Sequence, residues 1–284
     1  MSGVPADFAR ILEDWQPRPQ SVHGDLGVFP AQALAALLGG TLPEEGAELP
    51  PLWSEVYLRQ PRAMADLGPD GHPCSDALVP PLTERRRMFG GGRVIVTEPL
   101  RVGERATRRS SVKDVRTREG RSGWLLLVTE VHDHLVGDQL RVSEQRDIVY
   151  RLPGDVAAAP RTPAPADAEG GRVVYRLQPD ERMLFSFSAL TYNAHRIHYD
   201  HRYAVEVEGH RDLLVHGPLL GIGAIEAAIR VAGGQPATVV YRLLHPCFPT
   251  SPVEFALMPS EGDRTRVLGV QDGLGIVEAS VTWS

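Results

Sequence analysis

Four runs near the C-terminus alternate apolar and polar residues with period two: Ala237–Leu244, Val253–Met258, Thr265–Gln271 and Gly275–Trp283. That alternation predicts half-buried antiparallel strands, and Glu261-Gly262-Asp263 and Asp272-Gly273 supply turns between them. Ahead of the strands, Leu219–Ala232 is apolar around most of its circumference, which predicts a buried helix. Gly221, Gly223 and several alanines make that helix slim, and Gly233-Gly234 stops it. Asp180–Leu190 has helical spacing, with Asp180 and Glu181 early, where the helix dipole favours carboxylates. Val173–Leu177 reads as a short strand and Arg202–Val207 as a second short helix. Leu213–Val215 leads into His216-Gly217-Pro218 at the start of the buried helix.

The N-terminal piece follows a similar order. A helix is predicted at Pro30–Leu38, and Leu49-Pro50-Pro51-Leu52-Trp53 opens an apolar helix reaching about Leu58. An irregular stretch runs from Gln60 to Gly92. Strands follow at Arg93–Thr97, Glu104–Arg118, Trp124–His134 and Gln139–Arg151, with Val136-Gly137-Asp138 as a turn. A buried helix followed by a meander that must wrap it is the hotdog plan. Its double occurrence reads as a degenerate duplication, an α+β double hotdog. Between the copies, Pro153 to Gly171 is Pro/Ala-rich with no aromatic residue, so it cannot pack a core and reads as an extended linker. The expected units are therefore 1–152, a linker at 153–171, and 172–284.

Composition narrows the class. The chain has 284 residues and a net charge of −6, which argues against general nucleic-acid binding but not against a local arginine patch. Cys74 and Cys247 are far apart and lack any CxxC partner, so reduced thiols in a cytoplasmic protein are expected. Met1–Arg10 has no signal-peptide character, and no run has the ~20 apolar residues that span a bilayer, so no membrane partner is expected.

The chemistry concentrates in Tyr192-Asn193-Ala194-His195-Arg196-Ile197-His198-Tyr199-Asp200. A turn between two helices can aim several of these side chains into one cleft. Neutral histidine is the usual general acid or base near neutral pH, and asparagine can orient a water or polarise a carbonyl. Free N–H groups at the start of the buried helix, at His216-Gly217, suit a developing enolate oxygen. Gly217 admits close approach, and Pro218 fits the first helical turn. Three readings stand on residue chemistry: catalysis, a metal site, or surface histidines. Against a metal, His195 and His198 lack the i, i+4 spacing of helical metalloprotease ligands.

Here the chain resembles the MaoC-like enoyl-thioester hydratases, whose motif runs roughly Gly-Asp-x-Asn-Pro-φ-His-x-Asp, with φ apolar. Asn193 falls on the Asp of that motif, His195 on its Asn, Ile197 on the apolar place, His198 on the catalytic His and Asp200 on the final acid. Ala204 and His216-Gly217 match the rest. The whole stretch is similar to the branch holding mesaconyl-CoA and itaconyl-CoA hydratases and the mitochondrial 3-hydroxyacyl-thioester dehydratase. Leu49-Pro50-Pro51-Leu52-Trp53, Arg86-Arg87-Met88-Phe89-Gly90-Gly91-Gly92-Arg93 and Asp147-Ile148-Val149-Tyr150-Arg151 fit that branch too.

The resemblance implies a hydro-lyase acting on an acyl-CoA or acyl-carrier thioester, with no metal and no cofactor. His198 is its implied base, with Asn193 holding the water and His195 next in rank. Gly217, His216 and Arg196 are implied at the oxyanion or substrate. It departs from the family at Asn193, which cannot accept a proton, and Asp200 is a further candidate for that task. The N-terminal copy, with no His or Asn between Gly39 and Leu49, is implied to be catalytically silent and to supply the acyl cavity. Arg86, Arg87 and Arg93, in a run with Arg85, either meet coenzyme A phosphates or form a solvated or ion-paired surface. A carboxylate-bearing acyl group would want an arginine, with Arg196, Arg242 and Arg87 as candidates. Dehydration of fatty or polyketide chains, a thioesterase and a non-catalytic acyl-binding subunit are the alternatives. Two fused hotdogs are expected as a monomer or homodimer.

Overall fold

A computed structural model describes residues 3–82, 85–120, 123–152, 171–259 and 262–284. The expected linker, apart from Gly171, lies outside the described residues. In chain order the elements are α1 (Ala6–Asp14), β1 (Gln20–Asp25), α2 (Val28–Leu37), β2 (Arg86–Val96), β3 (Arg105–Gly120), β4 (Gly123–Val136) and β5 (Gln139–Arg151), then β6 (Arg172–Leu177), α3 (Glu181–Thr191), α4 (Gly217–Ala232), β7 (Pro236–Leu243), β8 (Val253–Met258), β9 (Arg264–Gln271) and β10 (Leu274–Trp283). The strands form one antiparallel sheet in the order β1-β3-β4-β5-β2-β7-β10-β9-β8-β6. Its seam is β2 against β7, where Gly91–Ile95 pair with Arg242–Thr238.

In the C-terminal half the sheet wraps α4, which packs on strands β6 to β10 and on β2. Leu219, Ile222, Ala224, Ala227 and Ala228 are fully buried. A Cβ on Gly223 would stand 2.6 Å from the Phe255 ring, so the small residues let the sheet close on the helix. The predicted slim buried helix and its four strands are therefore present. This is the hotdog plan, and with the sheet of the N-terminal half continuing it across the seam, the fold is a double hotdog of α+β class.

The N-terminal half departs from expectation in three places. First, no central helix forms. Leu52 takes a left-handed backbone (φ 69°), and only a 3₁₀ turn, Trp53–Val56, follows it. The left-handed Leu52 turns the chain out of the helical path straight after Pro50 and Pro51, so no longer helix develops from them. Trp53 is instead tied to the other half, its Nε1 donating to Glu226 Oε1 at 3.2 Å. Second, β2 begins at Arg86, not Arg93, which places Arg86 and Arg87 inside a strand. Third, α1 and β1 precede the first expected helix. Phe8 and Ile11 of α1 are buried against Leu126, Val128, Ile148 and Tyr150, a small core separate from the main one.

Between those two cores the inward face of the N-terminal sheet changes character. Arg108 and Ser110 on β3, Glu130, His132 and His134 on β4, and Glu144 and Arg146 on β5 are all buried. Register puts Arg108 opposite His134 and Ser110 opposite His132. It also puts Glu130 opposite Arg146 and His132 opposite Glu144. Where a central helix would cover this face with apolar side chains, the chain instead lowers Glu55 from the 3₁₀ turn onto Arg146. Buried charges survive only when paired, and most of these are. Among the described residues, no helix is long and apolar enough to cross a membrane.

Candidate active site

Helix α3 opens with Asp180, whose carboxylate accepts from Met183 N at 2.9 Å, and ends at Tyr192 in the left-handed region (φ 51°). Asn193 N–H returns to Ser188 C=O at 2.9 Å. That C-terminal turn swings residues 193–198 back across a cavity of about 1560 Å³ lying between the two halves. Asn193, His195, His198 and Gly217 all line it.

His198 is fixed by its Nδ1, 2.8 Å from the Leu214 carbonyl oxygen. A carbonyl only accepts, so Nδ1 carries the hydrogen and Nε2 holds the lone pair. Burial pushes the His198 pKa down to about 4, so the ring is neutral at pH 7. Behind it stands His216, stacked at 3.6 Å between ring centroids and bonded through Nε2 to Ser188 Oγ at 2.8 Å. His216 supports the His198 ring and does not line the cavity, whereas Gly217, the first residue of α4, does. The Gly217 N–H belongs to the opening turn, where backbone donors lack partners within the helix.

Asn193 Oδ1 accepts from His195 N–H at 3.0 Å. Its oxygen is therefore spent on the backbone, and its amide Nδ2 is left as a donor. Arg196 turns away from the cavity. It binds Asp200 Oδ2 through Nε at 3.0 Å, donates to Pro69 C=O at 2.9 Å and lies over the Tyr203 ring. Asp200 also caps Tyr203 N–H at 3.0 Å, and that bond, with Arg196, holds its carboxyl below the usual range. Both residues brace the loop. Arg86 lines the cavity near Glu208, Arg87 lines it deeper, and Arg93 is exposed on β2 outside it.

One part of the site was not anticipated. Residues 67–73 of the N-terminal half lie against the 193–198 loop. Arg196 N–H donates to Asp70 C=O at 2.9 Å. Gly71 sits at φ +87°, and a Cβ there would come within 1.8 Å of Ala194 O, so the two backbones touch. This contact brings the His72 ring to 4.1 Å from the His195 ring. Asp70 Oδ2 lies 3.4 Å from His72 Nδ1, and Arg87 Nη1 lies 3.3 Å from His72 Nε2. Arginine only donates, so His72 accepts at Nε2 and turns its Nδ1–H towards Asp70.

Asp70, His72 and His195 have the residue types of a metal site, their donor atoms lying within 4.8 Å of one another. The fit is poor. The Arg87 guanidinium occupies the His72 Nε2 lone pair, Asp70 is bonded to His72, and the arginine charge opposes a cation. Asp70 and Arg87 hold His72 in place, and the His195 ring packs against it. The only sequence signal was Asp70-Gly71-His72 itself, which has no periodicity to mark it.

Burial holds His72, His132, His134, His195, His198 and His216 all below their ordinary pKa. A histidine depressed in the fold is protonated first in the unfolded chain. Stability is then fully present above about pH 6.5 and is lost as pH falls below it. The denaturant midpoint should fall between pH 6.5 and 5. A midpoint unchanged across that window would show these rings to be solvated.

Comparison with known proteins places this geometry in a family. Residues 53–249 match the hydroxyacyl-thioester dehydratase type 2 family. The mesaconyl-C(4)-CoA hydratase of Chloroflexus aurantiacus is 37% identical over 252 residues, 88% of this chain and 89% of that protein. Among solved structures, a MaoC-like dehydratase from Phytophthora capsici superposes with a TM-score of 0.67 at 16% identity, covering 97% of this chain and 98% of that one. A Mycobacterium tuberculosis protein described as a double hotdog gives 0.58 at 15% identity, covering 95% and 96%. The chain belongs to the hydroxyacyl-thioester dehydratase type 2 family, hydro-lyases of hotdog fold that add water to, or remove it from, acyl thioesters.

Proposed function

We propose that the chain hydrates a branched dicarboxylic enoyl-CoA of the mesaconyl-CoA or itaconyl-CoA kind. The observation that carries this reading is the wall of the cavity in the N-terminal half. Glu55, Arg59, Arg108, Glu130, His132 and Arg146 line it, where an aliphatic chain would need apolar side chains. The 37% identity to a mesaconyl-C(4)-CoA hydratase points the same way.

In the proposed reaction His198 Nε2 takes a proton from water as the oxygen bonds to Cβ of the enoyl thioester. Asn193 Nδ2–H holds the water oxygen, which leaves the proton facing His198. Charge flows to the thioester oxygen, which receives the Gly217 N–H. The imidazolium then returns its proton to Cα, and both product atoms come from one water. Dehydration is the reverse. Arg86, half-exposed at the cavity, is the better placed of the three arginines for a coenzyme A phosphate.

A substrate panel tests the reading: mesaconyl-, itaconyl- and straight-chain enoyl-CoA, each beside its acyl-carrier thioester. A dicarboxylic CoA thioester should give the highest kcat/KM, by at least about tenfold, since burying a carbon chain against these charges leaves them unpaired. Preference for a straight apolar chain would overturn it in favour of a fatty-chain dehydratase.

A further inference from the structure

The charged belt of the N-terminal half does not balance. Four guanidinium groups, Arg59, Arg87, Arg108 and Arg146, share it with three carboxylates, Glu55, Glu130 and Glu144. Glu55 pairs with Arg59 and Arg146. Glu144 is bonded to Arg146 Nε at 2.7 Å. Glu130 is bonded to His132 Nε2 at 3.2 Å and lies in the field of Arg87. Arg108 has no ion pair and no hydrogen bond among the described residues, and its Nε is buried without a partner. Yet Arg108 is only 8% exposed, and what it does expose faces the cavity.

An unpaired guanidinium so deeply buried is expensive. Burial, reinforced by repulsion from Arg59 and Arg146, pushes its pKa down to about 10, which still leaves it charged at neutral pH. Across the sheet its register partner His134 is buried with neither ring nitrogen satisfied. Two unsatisfied groups therefore sit side by side in a belt that is otherwise densely bonded. That is the arrangement left when one anion of the set is supplied from outside.

We propose that this anion is the free carboxylate of the acyl group and that Arg108 is its counter-ion, the specificity-determining residue of the cavity. The assignment rests on the hydratase reading given above and adds the place and partner of the distal carboxylate. Arg87, which the sequence offered for this task, is already committed to His72. Arg196 and Arg242 do not line the cavity, and of the four belt arginines Arg108 is the one with no bonded partner among the described residues.

The test compares a dicarboxylic enoyl-CoA with its distal methyl ester, a neutral near-isostere, on wild-type protein and on Arg108→Met and Arg108→Lys. The readout is the acid-to-ester ratio of kcat/KM. Wild type should prefer the acid, Arg108→Met should lower the ratio about 100-fold, and Arg108→Lys should recover part of it. A ratio that Arg108→Met leaves unchanged overturns the assignment, because a merely structural arginine affects both substrates alike. Should Arg108→Met not fold, the wild-type ratio decides: equal turnover of acid and ester overturns the subsite. Wild-type protein that hydrates neither compound fails the function itself, which is a different outcome.

Discussion

Replacing His198 with Ala should lower kcat by about 10³-fold, within the range usual for a positioned general base. The reasoning begins with the backbone. Leu214 C=O fixes the hydrogen on Nδ1, and the neutral ring then has one lone pair, on Nε2, at the cavity. Of the neighbouring groups, His216 is locked to Ser188, and the carboxylates of Asp200 and Asp70 are bonded to Arg196 and to His72. None of these three is free to take over the proton, and the His195 ring, which lines the same cavity, is the competing base. His198→Gln should be as impaired as His198→Ala, since glutamine keeps polarity but not basicity. KM should change little in either, because the ring acts in the transition state more than in substrate binding. Circular dichroism and melting of both variants would separate catalysis from folding. Near wild-type turnover by either variant would show that another group is the base.

Replacing Arg146 with Met should destabilise the fold by about 3–5 kcal/mol, the usual result of removing one partner from a buried ionic cluster. Arg146 is bonded to Glu144 and to Glu55 at the centre of the N-terminal half. Burial by itself would raise the Glu55 pKa, and Arg146 with Arg59 reverses this, holding its carboxyl down to about 2. Without Arg146 those carboxylates must either remain charged and underpaired or take up protons. A melting temperature lower by roughly 6–20 °C is expected for a chain of this size. The double variant Arg146→Met with Glu144→Gln should be less destabilised than the sum of the singles, because the second change removes a charge the first one strands. A single variant that melts within 2 °C or so of wild type would mean that water already solvates the belt.

Legibility from sequence followed the strength of the periodic signal. The meander strands read clearly, because alternation over six or more residues bounded by turn residues survives in most tertiary settings. Helix α4 read clearly because its apolar character runs all round. The histidine loop stood out by residue chemistry, the resemblance ranked its members, and Asn193, His195 and His198 line one cavity with Gly217.

What failed had local causes. The apolar run after Pro50-Pro51 has helical composition, but the left-handed Leu52 breaks it and only a 3₁₀ turn follows. Helix α1 buries only Phe8 and Ile11, too few residues to announce a period. Asp70 and His72 reach the site by tertiary packing of an irregular segment, which no spacing rule encodes. The charged belt had a signal that was passed over. Arg108-x-Ser110, Glu130-x-His132-x-His134 and Glu144-x-Arg146 repeat with period two, in phase with apolar positions such as Val128 and Ile148 on the same face. Polar residues in phase with a core are a sign of a cavity lining, and here they mark the N-terminal wall of the cavity more directly than the Arg85–Arg87 run does.

The account joins a proton-transfer site in one half to a charged acyl pocket in the other. Its most direct test is to incubate the protein with mesaconyl-CoA in ¹⁸O-labelled water and analyse the product by mass spectrometry. The account predicts one ¹⁸O in a new hydroxyl at Cβ, with the thioester intact and the label lost in His198→Ala. Release of free coenzyme A with ¹⁸O in the carboxylate, or no incorporation at all, would contradict it.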